Sequence, residues 1–272
     1  MNIRNGLFCV VLCSLIAPAI QAVGLDKGFD AALASRQRPA ADKALDAARK
    51  PRQVMEFLGI GSGMTVMDVI AAGGYFTEVL SAAVGPKGHV ISQNSERILQ
   101  MRGGAVARAY KARVDRLGNV DILLSSLSEL NPKESPYSPA GSTILGAVET
   151  TPGVYADKLD AALTDLNLHD VYNFGGEDAA KAMLKTIFQM LKPGGVFGVI
   201  DHVGIAGQDN TKLHRIEPAV ARRLITSAGF KIEAESNLLA NPKDDHTLVV
   251  FDPSLHRDTD RFFFKAVRPA KD

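Results

Sequence analysis

The chain reads as an α/β protein: a Rossmann-like, doubly wound, mostly parallel seven-stranded sheet with a C-terminal antiparallel strand. Three observations predict it. From residue 64 onward, short apolar runs alternate with stripes of helical period. The first strand, its turn, the next helix and the second strand fit within about 30 residues, the size of a right-handed crossover unit. At the C-terminal end two strand-like runs, 230–235 and 261–267, follow a single helix, which predicts a closing antiparallel pair.

Each element has a local reason. Residues 23–41 are small and mixed and read as a lead-in, and residues 42–272 as one domain. Residues 42–50 make a short helix, and Pro51 opens a second to Leu58, at a position where its missing N–H costs nothing. Strand one runs from Met64 to Ile70. Phe76, Val79, Leu80, Ala83 and Val84 then form one apolar helix face, stopped by Gly85-Pro86. Strand two is His89–Gln93. An irregular helix over 95–116 carries Gly103-Gly104, and strand three is Val120–Leu124. Residues 131–155 hold prolines at 132, 136, 139 and 152 and read as an insertion or lid. Strand four is Leu159–Leu166. A helix over 176–191 buries Ala180, Met183, Leu184, Ile187 and Phe188. Lys192-Pro193-Gly194-Gly195 turns into strand five, Val196–Asp201. A last helix opens at Glu217-Pro218 and stops at Gly229.

The first 22 residues read as a signal peptide. Arg4 precedes an uncharged apolar run, Gly6–Ile20, too short to span a bilayer comfortably, and a small residue, Ala22, closes it. An exported, periplasmic protein without stable membrane insertion is the expectation. Both cysteines, Cys9 and Cys13, fall in that segment, so the remainder holds no disulfide and no thiolate site. Charge is balanced, 31 Lys+Arg against 30 Asp+Glu, which disfavours nucleic acid as a partner. Oligomeric state cannot be read.

Chemistry is concentrated at Val66–Glu78. A strand bearing Asp68 meets the small residues Ala71, Ala72, Gly73 and Gly74, and a helix begins. In α/β sheets a strand, tight loop and helix N-terminus hold nucleotide-like ligands. A carboxylate there suits a nucleoside ligand that also carries positive charge. A nicotinamide dinucleotide is a weaker fit: the loop lacks G-x-G-x-x-G, and no acid stands at 93 or 94.

With these motifs, and with Leu168–Asn173, Leu191–Gly195, Ser227–Phe230 and Asn241–Thr247 in order, the chain resembles the class I S-adenosylmethionine-dependent methyltransferases, and within them the exported bacterial group. The resemblance spans about residues 42–269. It implies S-adenosylmethionine as cofactor. Asp68 would lie near the methionine amino group, with Ala71, Gly73 and Gly74 at the methionine and ribose portions. Gln93 and Asn94 would stand where the family usually places an acid for the ribose, Ser126 at the adenine edge, and Asn167 at the end of strand four. Ile70 and Ala72 replace glycines common in the fold. A β-branched residue resists positive φ, so ordinary backbone angles are expected at Ile70.

Methyl transfer is an in-line displacement for which positioning supplies most of the catalysis. An acceptor hydroxyl or amine must lose a proton. His169 and His202 are the expected bases because an unperturbed imidazole titrates near neutral pH, with Asp170 and Tyr172 as further catalytic candidates. His214 and His246 could pair with His202, but no spacing matches a strong ligand motif and no metal is expected. The sequence thus points to a methyltransferase with a small-molecule acceptor. The alternative is an exported, non-catalytic or repurposed ligand-binding protein on the same fold.

Overall fold

Seven strands form one sheet in the order β3-β2-β1-β4-β5-β7-β6. They are β1 (Thr65–Val69), β2 (His89–Asn94), β3 (Val120–Leu124), β4 (Leu159–Asp165), β5 (Leu191–His202), β6 (Lys231–Ser236) and β7 (Arg261–Val267). The first five pair in parallel, and β7 is antiparallel to both β5 and β6. This computed structural model describes residues 24–127 and 155–270. The expected signal peptide and all but the last residue of the 131–155 insertion lie outside the described residues.

The central strands are apolar on both faces because helices cover both. Alternation along β1 shows it. Met67 and Val69 face a core shared with α6 (Leu168–Met190) and α8 (Pro218–Ser227), while Val66 faces α3 (Pro51–Leu58) and α4 (Tyr75–Val84). Asp68 takes a position on the α4 face that an apolar residue would otherwise fill. Among the described residues no helix is long and apolar enough to cross a membrane.

Two sequence expectations change. Residues 24–41 are not a loose lead-in: α1 (Phe29–Ala34) docks the buried Phe29 against α4. The buried Arg38 pairs with Asp46 of α2 (Ala40–Arg49) at 2.5 Å. The second is the stretch between β4 and the helix expected over 176–191, which is helical too. The segment 168–175 is the first part of α6, separated from the second by Gly176 at φ 85°. The glycine weakness expected near 103 is real: α5 (Glu96–Val114) breaks at Met101–Gly104, three residues of which have positive φ.

β1 lies between β2 and β4, so the crossovers leave it in opposite directions. The crevice beyond the C-terminal ends of β1 and β4 is the topological switch point, where open α/β sheets bind ligands.

Candidate active site

Two adjoining cavities, of about 480 and 520 Å³, occupy that crevice. Ile70, Ile98, Met101 and Asn167 line both and form the wall they share. The smaller contains Asp68, Ala71, Gly73, Tyr75 and Asp165; the larger contains Gln93, Ser126, Asp170, Phe174 and His214.

Asp68 is 3% exposed, and its Oδ2 accepts from Thr77 Oγ1 at 2.6 Å. Burial pushes its carboxyl up to about 7. The Thr77 hydrogen bond and Arg113 oppose that rise, and Asp165 adds to it. Asp165 ends β4 as Asp68 nears the end of β1, and its carboxyl is also raised by burial, against Arg49 and Arg261. Two buried carboxyls thus border one cavity: Asp165 is paired with Arg49 at 3.3 Å, whereas Asp68 has no salt-bridge partner among the described residues and is the one that suits a cationic group. Asp165 was missed in the sequence; an acid at the C-terminal end of a parallel strand was its only signal.

The loop itself corrects the backbone expectation. Ile70 has φ 54° and Ala72 φ 48°. Such angles cost a residue with a Cβ roughly 1–2 kcal/mol and persist only where the surroundings impose them. The next strand supplies the force: Gln93 Oε1 accepts from the Ile70 N–H at 2.8 Å, and Asn94 Oδ1 from the Ala72 N–H at 2.9 Å. Each amide also donates, Gln93 to the Ser125 carbonyl and Asn94 to that of Ala72. Asn94 has no exposed surface. The amide pair thus braces the loop, and for Asn94 that role replaces the expected ribose contact. A carboxylate could not both accept and donate here, which accounts for the neutral pair. Ala72→Gly removes the steric cost and should raise stability by a net ~0.5 kcal/mol, seen as a higher urea midpoint at unchanged m.

Gly74, at φ 80°, caps α4, and a Cβ there would come within 3.2 Å of Arg113. Gly73 faces open space. Asn167 donates from Nδ2 to the Asp165 carbonyl at 2.9 Å and to that of Val69 at 3.3 Å, tying the ends of β4 and β1 together.

The catalytic candidates separate. Asp201, fully buried at the end of β5, accepts from both the backbone N–H of His169 (2.8 Å) and its Nδ1 (2.6 Å). Burial opposes charge on His169, but Asp201 and Asp170 outweigh it and push the ring up to about 10. Two carboxylates at one ring favour its charged form, which makes His169 a poor general base, against the expectation. His202 is driven the other way, well below the usual range, by burial and then by the charge on His169. It is neutral, but it is 7% exposed, holds Thr259 Oγ1 at 2.6 Å from Nδ1, and lines neither cavity. Tyr172 also lies off the cavities, packed on the core and beside Arg223. Asp170 does reach the larger cavity. Burial raises its carboxyl, but His169 and His214 win and hold it low. Its Oδ1 stands 2.9 Å from Nδ1 of His214, which lines the same wall.

The strand order, the switch-point crevice and the loop together can be set against solved structures. A methyltransferase from Aquifex aeolicus, described as S-adenosylmethionine-dependent, superposes with a TM-score of 0.53 at 18% identity, over 85% of this chain and 98% of that one. The fold is that of the S-adenosylmethionine-dependent methyltransferases. The [4+2]-cyclase SpnF also superposes, with a TM-score of 0.55 at 18% identity, over 92% of this chain and 87% of that one. The sequence profile of the protein-L-isoaspartate(D-aspartate) O-methyltransferase family matches residues 35–161. That span carries the β1 loop, β2 and β3 but stops before His169, Asp170 and His214. No curated protein matches the sequence.

Proposed function

We propose that the protein is an S-adenosylmethionine-dependent methyltransferase acting on a small-molecule acceptor. The observation that carries this reading is the pair Asp68 and Asp165 bordering the cavity beside the braced Ile70–Gly74 loop. S-adenosylmethionine bears an ammonium and a sulfonium, so its positive charge would offset the Asp68 carboxyl, while Asp165 already pairs with Arg49. The amino-acid portion would lie at Asp68, the nucleoside would cross Ile70 toward Gln93 and Ser126, and the methyl group would point into the larger cavity. Ala71, Gly73, Gly74 and Asn167 would shape the donor pocket.

The larger cavity has the size of a small-molecule site. Ile70, Leu127, Met183 and the half-exposed Phe174 and Met101 make its wall apolar, and Asp170 with His214 gives it a polar end. This favours an acceptor with an apolar or aromatic body and one nucleophilic group, held in line for displacement. The charged-then-apolar opening of the sequence supports an exported, periplasmic location.

One observation favours the alternative of a repurposed ligand-binding protein: Asn94, at the family's ribose position, is spent on the loop. Thermal unfolding with S-adenosylhomocysteine separates the two. At about 100 times its dissociation constant the product should stabilise the fold by about 2.7 kcal/mol, and reduced nicotinamide cofactor should give no shift. A flat response to S-adenosylhomocysteine would favour the repurposed module.

A further inference from the structure

We propose that His169, Asp170 and His214 bind one divalent transition-metal ion at the polar end of the larger cavity. His169 Nε2, Asp170 Oδ1 and His214 Nδ1 lie within 4.8 Å of one another. Oδ1 is 3.0 Å from the first nitrogen and 2.9 Å from the second. Ligand atoms held at about 2.0–2.2 Å from a shared ion stand roughly 3–3.5 Å apart, so little movement is needed.

The second observation is independent of these spacings. His169 is 2% exposed, and its Nε2 is buried without a hydrogen-bond partner although Oδ1 is close by. The nitrogen thus has an ion-pair contact with Asp170 but no hydrogen bond, a state in which a buried polar atom can take a ligand. Behind it, Asp201 grips Nδ1 of the same ring, the carboxylate–histidine arrangement that orients metal-bound imidazoles. The ring must be neutral to ligate, so an ion at Nε2 would take the place of the proton that Asp201 and Asp170 otherwise favour.

Two histidines and one carboxylate form a donor set for zinc or ferrous iron, with coordination positions left open. Asp170 and His214 line the cavity, so open positions would face an entering oxygen or nitrogen ligand. Sequence spacing hid the set: His169 and Asp170 are adjacent, but His214 comes 44 residues after Asp170 and points inward from a left-handed turn, φ 55°.

The test needs neither methyl donor nor acceptor, so its outcome is separate from that of the methyltransferase reading. The full chain, stripped with chelator, is titrated with cobalt(II) and then with zinc(II) alone. One cobalt per chain, with visible d–d absorption displaced by one zinc, is expected. His214→Ala and Asp170→Asn should each weaken binding at least ~10-fold and change the cobalt spectrum, and His256→Ala should do neither. His214 is partly exposed, and the thermal midpoint of metal-free His214→Ala checks that the fold is kept. No stoichiometric binding, or binding indifferent to both ligand variants, overturns the proposal.

Discussion

Asp68→Asn is expected to make the protein more stable at pH 8 and, in the same molecule, to weaken binding of S-adenosylhomocysteine at least ~10-fold, the loss of one charge-assisted hydrogen bond. The folded carboxyl titrates at about 7 against a reference value of 3.8. A group whose folded value is raised contributes stability that is complete below the lower value and is lost as pH climbs through the higher one. Wild type should therefore lose stability relative to the variant between about pH 4 and 7, with no further change above. Linkage puts the difference at up to about 4 kcal/mol. Urea midpoints of both proteins at pH 4 and pH 8 measure it, and calorimetry with S-adenosylhomocysteine measures the binding half. A variant less stable than wild type at pH 8 would mean that the Asp68 carboxylate is well matched by its surroundings.

The other large effect lies next to His214, at the polar end of the larger cavity. Arg215 and Asp244 are both fully buried at their side chains and form a two-pronged pair, 2.9 and 3.0 Å. Asp244→Ala leaves a buried guanidinium without its counter-ion and should cost about 3–5 kcal/mol, read from the urea midpoint. It also removes the acceptor for the N–H groups of His246 and Asp260. Arg215→Met should cost less, because Asp244 keeps those two bonds. Since Arg215 follows His214, both variants should also disturb the polar end of the cavity.

These two residues show what the sequence reveals and what it conceals. β3 and β7 are legible to the residue because each is an apolar run with clear boundaries. Asp68 is legible as an acid in an otherwise apolar strand, and the loop after it by its small side chains. The motif Asn241–Thr247 can be picked out, but its work, holding Arg215, cannot be read from it. The first half of α6 escapes periodicity because His169-Asp170-Val171-Tyr172-Asn173-Phe174 carries no apolar stripe; Asp201, from a distant strand, holds its N-terminus. The same carboxylate overturns the expectation for His169, since a reference imidazole value ignores a partner 32 residues away. At Ile70 local sterics argue for ordinary angles, and the Gln93 amide from β2 overrides them. Where a neighbour in the chain decides, the sequence suffices; where a neighbour in space decides, it does not.

The measurement that bears most directly on the whole account is a crystal structure with S-adenosylhomocysteine. Its amino group should lie within hydrogen-bonding reach of Asp68, its nucleoside should cross Ile70 toward Gln93 and Ser126, and its sulfur should face Asp170 and His214. Product bound elsewhere, or failing to bind at millimolar concentration, would contradict this placement and leave only the architecture standing.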